Sequence, residues 1–315
     1  MSPPGPDAVG HLKPTAFAGL MHTGLMVAAL VLGVWLSVSA GLLGYLVGQV
    51  LLAFGFVHAF VLLHEAGHDT LFGARALNRL VGHMAGFIAL IPFCNWQGIH
   101  RRHHDYTGWQ DMDATTASLV PYPLGRWERR CINFCWTTWL PVFALSYRLQ
   151  NFWNLGRIGR YLSGSKTLGR IRVNSLTVLA GYGALLVWVG PVETVSLLGP
   201  GFMLSLVVQE ALILSQHTHV PQRVSGVAQV RVFPPREQEA FTRSLRLPTW
   251  LSFLLMHFDA HGLHHMYPQV PGYRLRQIPY QPRNEVHWWR WLKVARGLSG
   301  SDFLFRNWDD TGLRV

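Results

Sequence analysis

Two long intervals of this chain carry no basic residue: none lies between Lys13 and Arg75, and none between Arg172 and Arg223. Each is long enough for two bilayer crossings of about 20 residues apiece. In the first, the apolar runs 16–39 and 42–63 are parted by a small Ala-Gly turn, and in the second, 173–189 and 195–215 are parted by Gly190-Pro191. The pattern predicts an all-α integral membrane protein with four transmembrane helices in two hairpins, interfacial helices and a cytoplasmic helical cap. Only 14% of residues are charged, against about 25% in a soluble domain. Three cysteines, Cys94, Cys131 and Cys135, are too few and odd in number for a disulfide scaffold, and 13 Trp and 17 Phe exclude disorder.

Every Lys and Arg falls in segments 1–15, 64–172 or 216–315, while the short outer turns carry only Glu193. The positive-inside rule therefore places both termini and all three segments in the cytoplasm of a multi-pass protein. The net charge of +11 reads as this retention signal, with attraction to anionic lipid. No basic nucleic-acid motif rises above the topology, so no nucleic-acid partner is expected. The first apolar run lacks a basic leader and is too long for a signal peptide, so no cleavage is expected. The apolar stretch 80–93 has a length suited to an interfacial or re-entrant helix, and 132–147 reads as an interfacial helix with Trp136, Trp139 and Tyr147 around Pro141. With no repeat and no linker, residues 1–315 read as one domain.

The chemistry lies in three histidine clusters: His64-Glu65-Ala66-Gly67-His68, His100-Arg101-Arg102-His103-His104 and His261-Gly262-Leu263-His264-His265. Spacings of i, i+3 and i+4 bring side chains onto one helix face, so each cluster can aim two or three imidazoles at one point. With 16 histidines in 315 residues, chance gives roughly 0.04 copies of H-x-x-H-H, and the chain has two. Neutral imidazole suits iron, zinc, copper or nickel. Eight clustered histidines exceed the needs of one tetrahedral ion, which argues for two metals. Four spans place all three clusters at the same membrane face, so that one shared site is geometrically allowed.

Lone histidines such as His22, His58 and His83 read as hydrogen-bonded helix residues, and His11 and His287 as surface ones. His217 follows the last apolar run and is the preferred ninth ligand, with His219 and His257 in reserve. The first cluster also fits H-E-x-x-H, the zinc-protease signature in which Glu65 would be a general base, but that reading leaves six histidines without a role. A metal transporter would need ionisable groups at the bilayer midplane, where only Gln49, His22 and His58 stand.

Beyond the histidines, the text through Thr107-Gly108, Gln216-His217-Thr218-His219 and His264-His265-Met266-Tyr267-Pro268 resembles the integral-membrane fatty acid desaturase and hydroxylase superfamily over roughly residues 51–280. The resemblance implies a non-haem di-iron centre held by His64, His68, His100, His103, His104, His217, His261, His264 and His265. It also implies O2 as co-substrate and attack on an unactivated C–H bond of a long-chain acyl lipid, without bound haem or flavin. Glu65 is the catalytic candidate, and it joins Asp69, Asp105, Asp111, Asp113 and Asp259 as carboxylates that would orient the ligands. Desaturation needs electrons, and neither a four-cysteine cluster nor a Gly-rich dinucleotide fingerprint is present. An external donor, ferredoxin-like or cytochrome-b5-like, is therefore implied. Three residues between His64 and His68 match the acyl-lipid type. The surroundings of the third cluster are also similar to carotenoid ketolases and hydroxylases, the alternative within the superfamily.

Overall fold

The computed structural model describes residues 3–226 and 229–314. It is mostly helical. The principal helices are α1 (Ala16–Ser39), α2 (Gly41–Gly67), α3 (Arg75–Ile88), α4 (Phe93–Tyr106), α5 (Arg126–Thr138), α6 (Val142–Arg148), α7 (Ser165–Val189), α8 (Pro191–His217), α9 (His261–Met266) and α10 (Trp288–Gly297). Four of them, α1, α2, α7 and α8, are long and apolar enough to cross a bilayer. They exceed the apolar runs at several ends, because a helix continues wherever its residues tolerate one. Helix α2 carries on through His64-Glu65-Ala66-Gly67, and α7 begins at Ser165 with Lys166, Arg170 and Arg172 in its first turns. The stretch expected as one interfacial helix over 80–93 is divided between α3 and α4, which meet at 101°. The second such stretch is also broken: Trp139 adopts a left-handed backbone (φ 60°) and Pro141 precedes α6. The all-α expectation misses two short strands, β1 (Ser244–Arg246) and β2 (Glu285–His287), paired in parallel with Ser244 opposite Glu285.

The chain clusters into two compact units, residues 1–13, 99–143 and 210–315 in one and residues 14–98 and 144–209 in the other, with the divisions inside α4 and α8 among others. In the second unit, α1 packs on α2 through small residues. A Cβ on Gly48 would come within 2.6 Å of the Gly33 carbonyl oxygen, so only glycine permits this approach. Pro200 interrupts the backbone ladder of α8, and side chains of α2 repair it. The Ser196 carbonyl, which Pro200 cannot serve, accepts from the Tyr45 hydroxyl at 2.8 Å. One turn on, the Gln49 amide donates to Leu197 O at 3.0 Å and accepts from Gly201 N at 2.7 Å. Gln49 is buried because it completes a hydrogen-bond ladder.

Among the described residues of the first unit, two apolar cores stand out. Val9 and Leu12 pack with Leu263, Met266 and Tyr267, and the Tyr267 hydroxyl donates to Pro4 O at 2.7 Å. Trp136, Leu214, Trp291 and Phe303 form the other. Between strand β1 and helix α9, Ser244 Oγ accepts the Gly262 N–H at 2.9 Å, which pins the first turn of α9. Arg243, 1% exposed, donates to Ser215 O, Thr218 O and His219 O at 2.9–3.2 Å and so caps the C-terminal end of α8. A cation suits the negative end of a helix.

Candidate metal centre

Four of the expected ligands meet in the first unit. Helix α4 supplies His103, the last residue of α8 is His217, and α9 supplies His261 and His265 one turn apart. One ligand nitrogen from each lies within 4.8 Å of the others. The Nε2 atoms are 2.7 Å apart for His217 and His261, 3.0 Å for His261 and His265, and 3.3 Å for His103 and His265.

The outer nitrogens decide what this cluster can hold. His103 Nδ1 donates to Asp113 Oδ2 at 2.7 Å, His217 Nδ1 to Phe241 O at 3.1 Å, and His265 Nδ1 to Gln238 Oε1 at 2.9 Å. The Gln238 amide has only one orientation, since its Nε2 donates to His104 O and Phe233 O at 2.8 and 3.0 Å. A carboxylate or carbonyl oxygen only accepts, so each of these three imidazoles carries its proton outward and turns a lone pair inward. Lone pairs converging at such distances repel one another unless a cation lies among them. Imidazole nitrogens around one ion at about 2.1 Å would stand ~3.4 Å apart in a tetrahedron, close to what is found, and the donor set fits a first-row transition metal.

Burial, then the neighbouring His104, His261, His103 and His217, holds His265 well below its ordinary pKa, which keeps it neutral. Burial opposes ionisation of Asp113, but the neighbouring His103, their hydrogen bond and the Thr115 N–H hold its carboxyl below the usual value. The Thr115 hydroxyl also donates to Asp113 Oδ1 at 2.9 Å. Replacing Asp113 by Asn should weaken metal binding ten- to a hundredfold, the usual cost of losing the partner behind a ligand histidine. Competition against a chelator measures this, and unchanged affinity would show that Asp113 does not orient His103.

A second group forms beside the first. His104 Nε2 lies 3.1 Å from His100 Nε2 and 3.0 Å from His264 Nε2. Each H-x-x-H-H copy therefore divides its doublet, His103 and His265 serving the first group and His104 and His264 the second. In the other unit, His64 and His68 lie one turn apart at the end of α2, with ring centroids 4.9 Å apart and the rings tilted by 54°. Glu65 Oε1 lies 3.1 Å from His64 Nδ1, and Glu65 Oε2 accepts from the Thr70 hydroxyl at 3.0 Å. The carboxylate is thus engaged behind His64, which suits orientation of the ring better than work as a general base.

Among the other carboxylates considered, Asp69 sits near Arg75, Asp111 accepts from Ser225, Asp259 is paired with Arg276, and Asp105 is exposed. The reserve histidines are also occupied elsewhere: His219 lies 2.8 Å from Thr311 Oγ1, and His257 Nδ1 donates to Ser252 Oγ at 2.8 Å. His58 Nε2 donates to His22 O at 3.1 Å. Gln238, the Phe241 carbonyl and Arg243 are site-shaping groups that no sequence pattern marks.

Residues 40–291 match the fatty acid desaturase family along most of the chain. The chain belongs to that family. It is 26% identical over 232 residues to a chloroplastic sn-2 acyl-lipid omega-3 desaturase (ferredoxin) of Helianthus annuus, covering 69% of this chain and 50% of that protein. A fatty acid desaturase of Bacillus subtilis is 23% identical over 289 residues, 82% of this chain and 73% of its own. An sn-1 oleoyl-lipid 12-desaturase of Synechocystis is 24% identical over 233 residues, 69% and 62% of the two chains. This family member spans about half the length of the Helianthus relative.

Proposed function

We propose that the chain is an O2-dependent di-iron desaturase that introduces a double bond into a long acyl chain of a membrane lipid, with electrons from an external donor. The observation that carries this reading is the convergence of inward lone pairs from histidines whose outer nitrogens are tied to acceptors. Family membership and the acyl-lipid names of the relatives support it. In this reading His103, His217, His261 and His265 would hold one iron, and His100, His104 and His264 would contribute to the other. The four apolar helices cross the membrane as two hairpins, with both termini and the histidines on the cytoplasmic side where the basic residues lie.

Bound iron would supply the capacity to reduce O2 and, with that oxidant, to oxidise the C–H bonds. The balanced change is removal of two neighbouring hydrogens from the acyl chain, with O2, two donor electrons and two protons leaving as two waters. The chain's own part is positional. Asp113, Gln238, the Phe241 carbonyl and Glu65 fix which imidazole nitrogen faces the metal, and burial of the cluster excludes bulk water.

Lipid analysis of cells expressing the chain, with metal counted in the purified protein, tests the reading. A new double bond and iron support it. An added oxygen would move the assignment to the ketolase or hydroxylase branch, and zinc with peptide cleavage to a protease. Replacing Glu65 by Gln should cut activity about tenfold or more while iron is largely retained; full activity would reject its role.

A further inference from the structure

The first unit contains a cavity of about 700 Å³ lined by five arginines, Arg223, Arg231, Arg236, Arg283 and Arg314. Its wall also includes Glu239 and Phe241, which flank the segment that anchors the four-histidine group. The Phe241 carbonyl accepts from His217 Nδ1, and Gln238, three residues earlier, accepts from His265 Nδ1. One short stretch of backbone thus separates an arginine-rich opening from two of the four metal-facing imidazoles.

Three of the arginines are held against aromatic rings. Arg223 and Arg231 both lie over the Phe233 ring at 5.1 Å, and Arg314 lies over Trp308 at 4.8 Å. Stacked guanidinium groups lose less freedom on binding than free ones. The two carboxylates in the wall offset only part of the charge of the five arginines. Glu237 pairs with Arg231 at 3.1 Å, and Glu239 is buried and accepts from the Tyr280 hydroxyl and the Arg283 N–H.

We infer that this cavity is the docking site of a small acidic redox protein, and that residues 238–241 are the route by which its electrons enter. The inference rests on the desaturase reading, which requires an external one-electron donor. Each docking oxidises the donor by one electron and reduces the metal site by one, so two dockings serve each double bond. Complementary charge would raise the encounter rate and make it salt-dependent. A phospholipid headgroup shares the negative charge, but it gives no reason for the wall to be bonded to metal-facing histidines.

The test titrates a plant-type [2Fe–2S] ferredoxin and a soluble cytochrome b5 domain into the metal-loaded protein. The wild type is compared with an Arg231→Glu/Arg314→Glu variant and an Arg126→Glu/Arg129→Glu control, whose charges are exposed on α5. The cavity variant should bind its donor at least tenfold more weakly, with a flatter salt dependence. Its KM for donor should rise by a similar factor, with kcat within twofold of the wild type and an unchanged metal content. Unchanged donor affinity, or equal weakening by the control, overturns the proposal, as does loss of binding to anionic phosphatidylglycerol vesicles with donor binding intact. Failure of the wild type to form a double bond even with a chemical reductant would sink the desaturase reading. The binding titration would then still decide the docking site.

Discussion

Cells expressing the His103→Ala variant should contain none of the unsaturated lipid made by the wild type, and the purified variant should hold at most half the iron. His103 is one of four imidazoles in its group, and its outer nitrogen meets a carboxylate. Removing the ring leaves Asp113, 1% exposed, without the N–H that its carboxylate accepts. Breaking a buried pair in this way costs about 3–5 kcal/mol. Loss of product through unfolding must therefore be separated from loss through the missing ligand. The His103→Ala/Asp113→Ala double variant does this: it should recover much of the stability, measured by unfolding in detergent, without recovering product or iron. Product from either variant would remove His103 from the site.

Arg243→Met should destabilise the fold by roughly 2–5 kcal/mol, the largest effect expected from a residue that touches no metal-facing nitrogen. Its guanidinium serves three backbone carbonyls around the end of α8, and hydrogen bonds to a charged donor are worth about 1.5–3 kcal/mol each. An opposing contribution comes from the charge itself. Burial lowers the Arg243 pKa to about 9, so methionine relieves a desolvation cost even as it orphans the carbonyls. Because Ser215 and Thr218 bracket His217, the variant should also bind metal more weakly. Unfolding and metal titration on one preparation check both, and unaltered stability would show that the cap is dispensable.

The four long helices are legible because the absence of Lys and Arg is a strong statement about environment. Their ends are less legible, since a helix continues past the apolar run into residues such as Glu65 and Lys166 that accept the conformation equally well. The break at Trp139 is hidden because a left-handed non-glycine residue leaves no compositional trace. In the candidate site, H-x-x-H-H spacing names six of the histidines by itself. What orients them is invisible for a simple reason: the Phe241 partner is a backbone carbonyl, which every residue possesses. Gln238 lies in a short 3-10 turn over 235–241, outside any repeating pattern, and only the fold brings it to His265.

The divided doublets tie the two histidine groups to one another mechanically. Neighbouring residues on a helix stand about 100° apart around its axis, so any twist of α9 that swings His265 swings His264 through the same angle, and α4 couples His103 to His104 likewise. Neither group can be re-aimed alone. A helix carrying ligands for both behaves as a single cog with two teeth, and its rotational setting is a compromise that both must share.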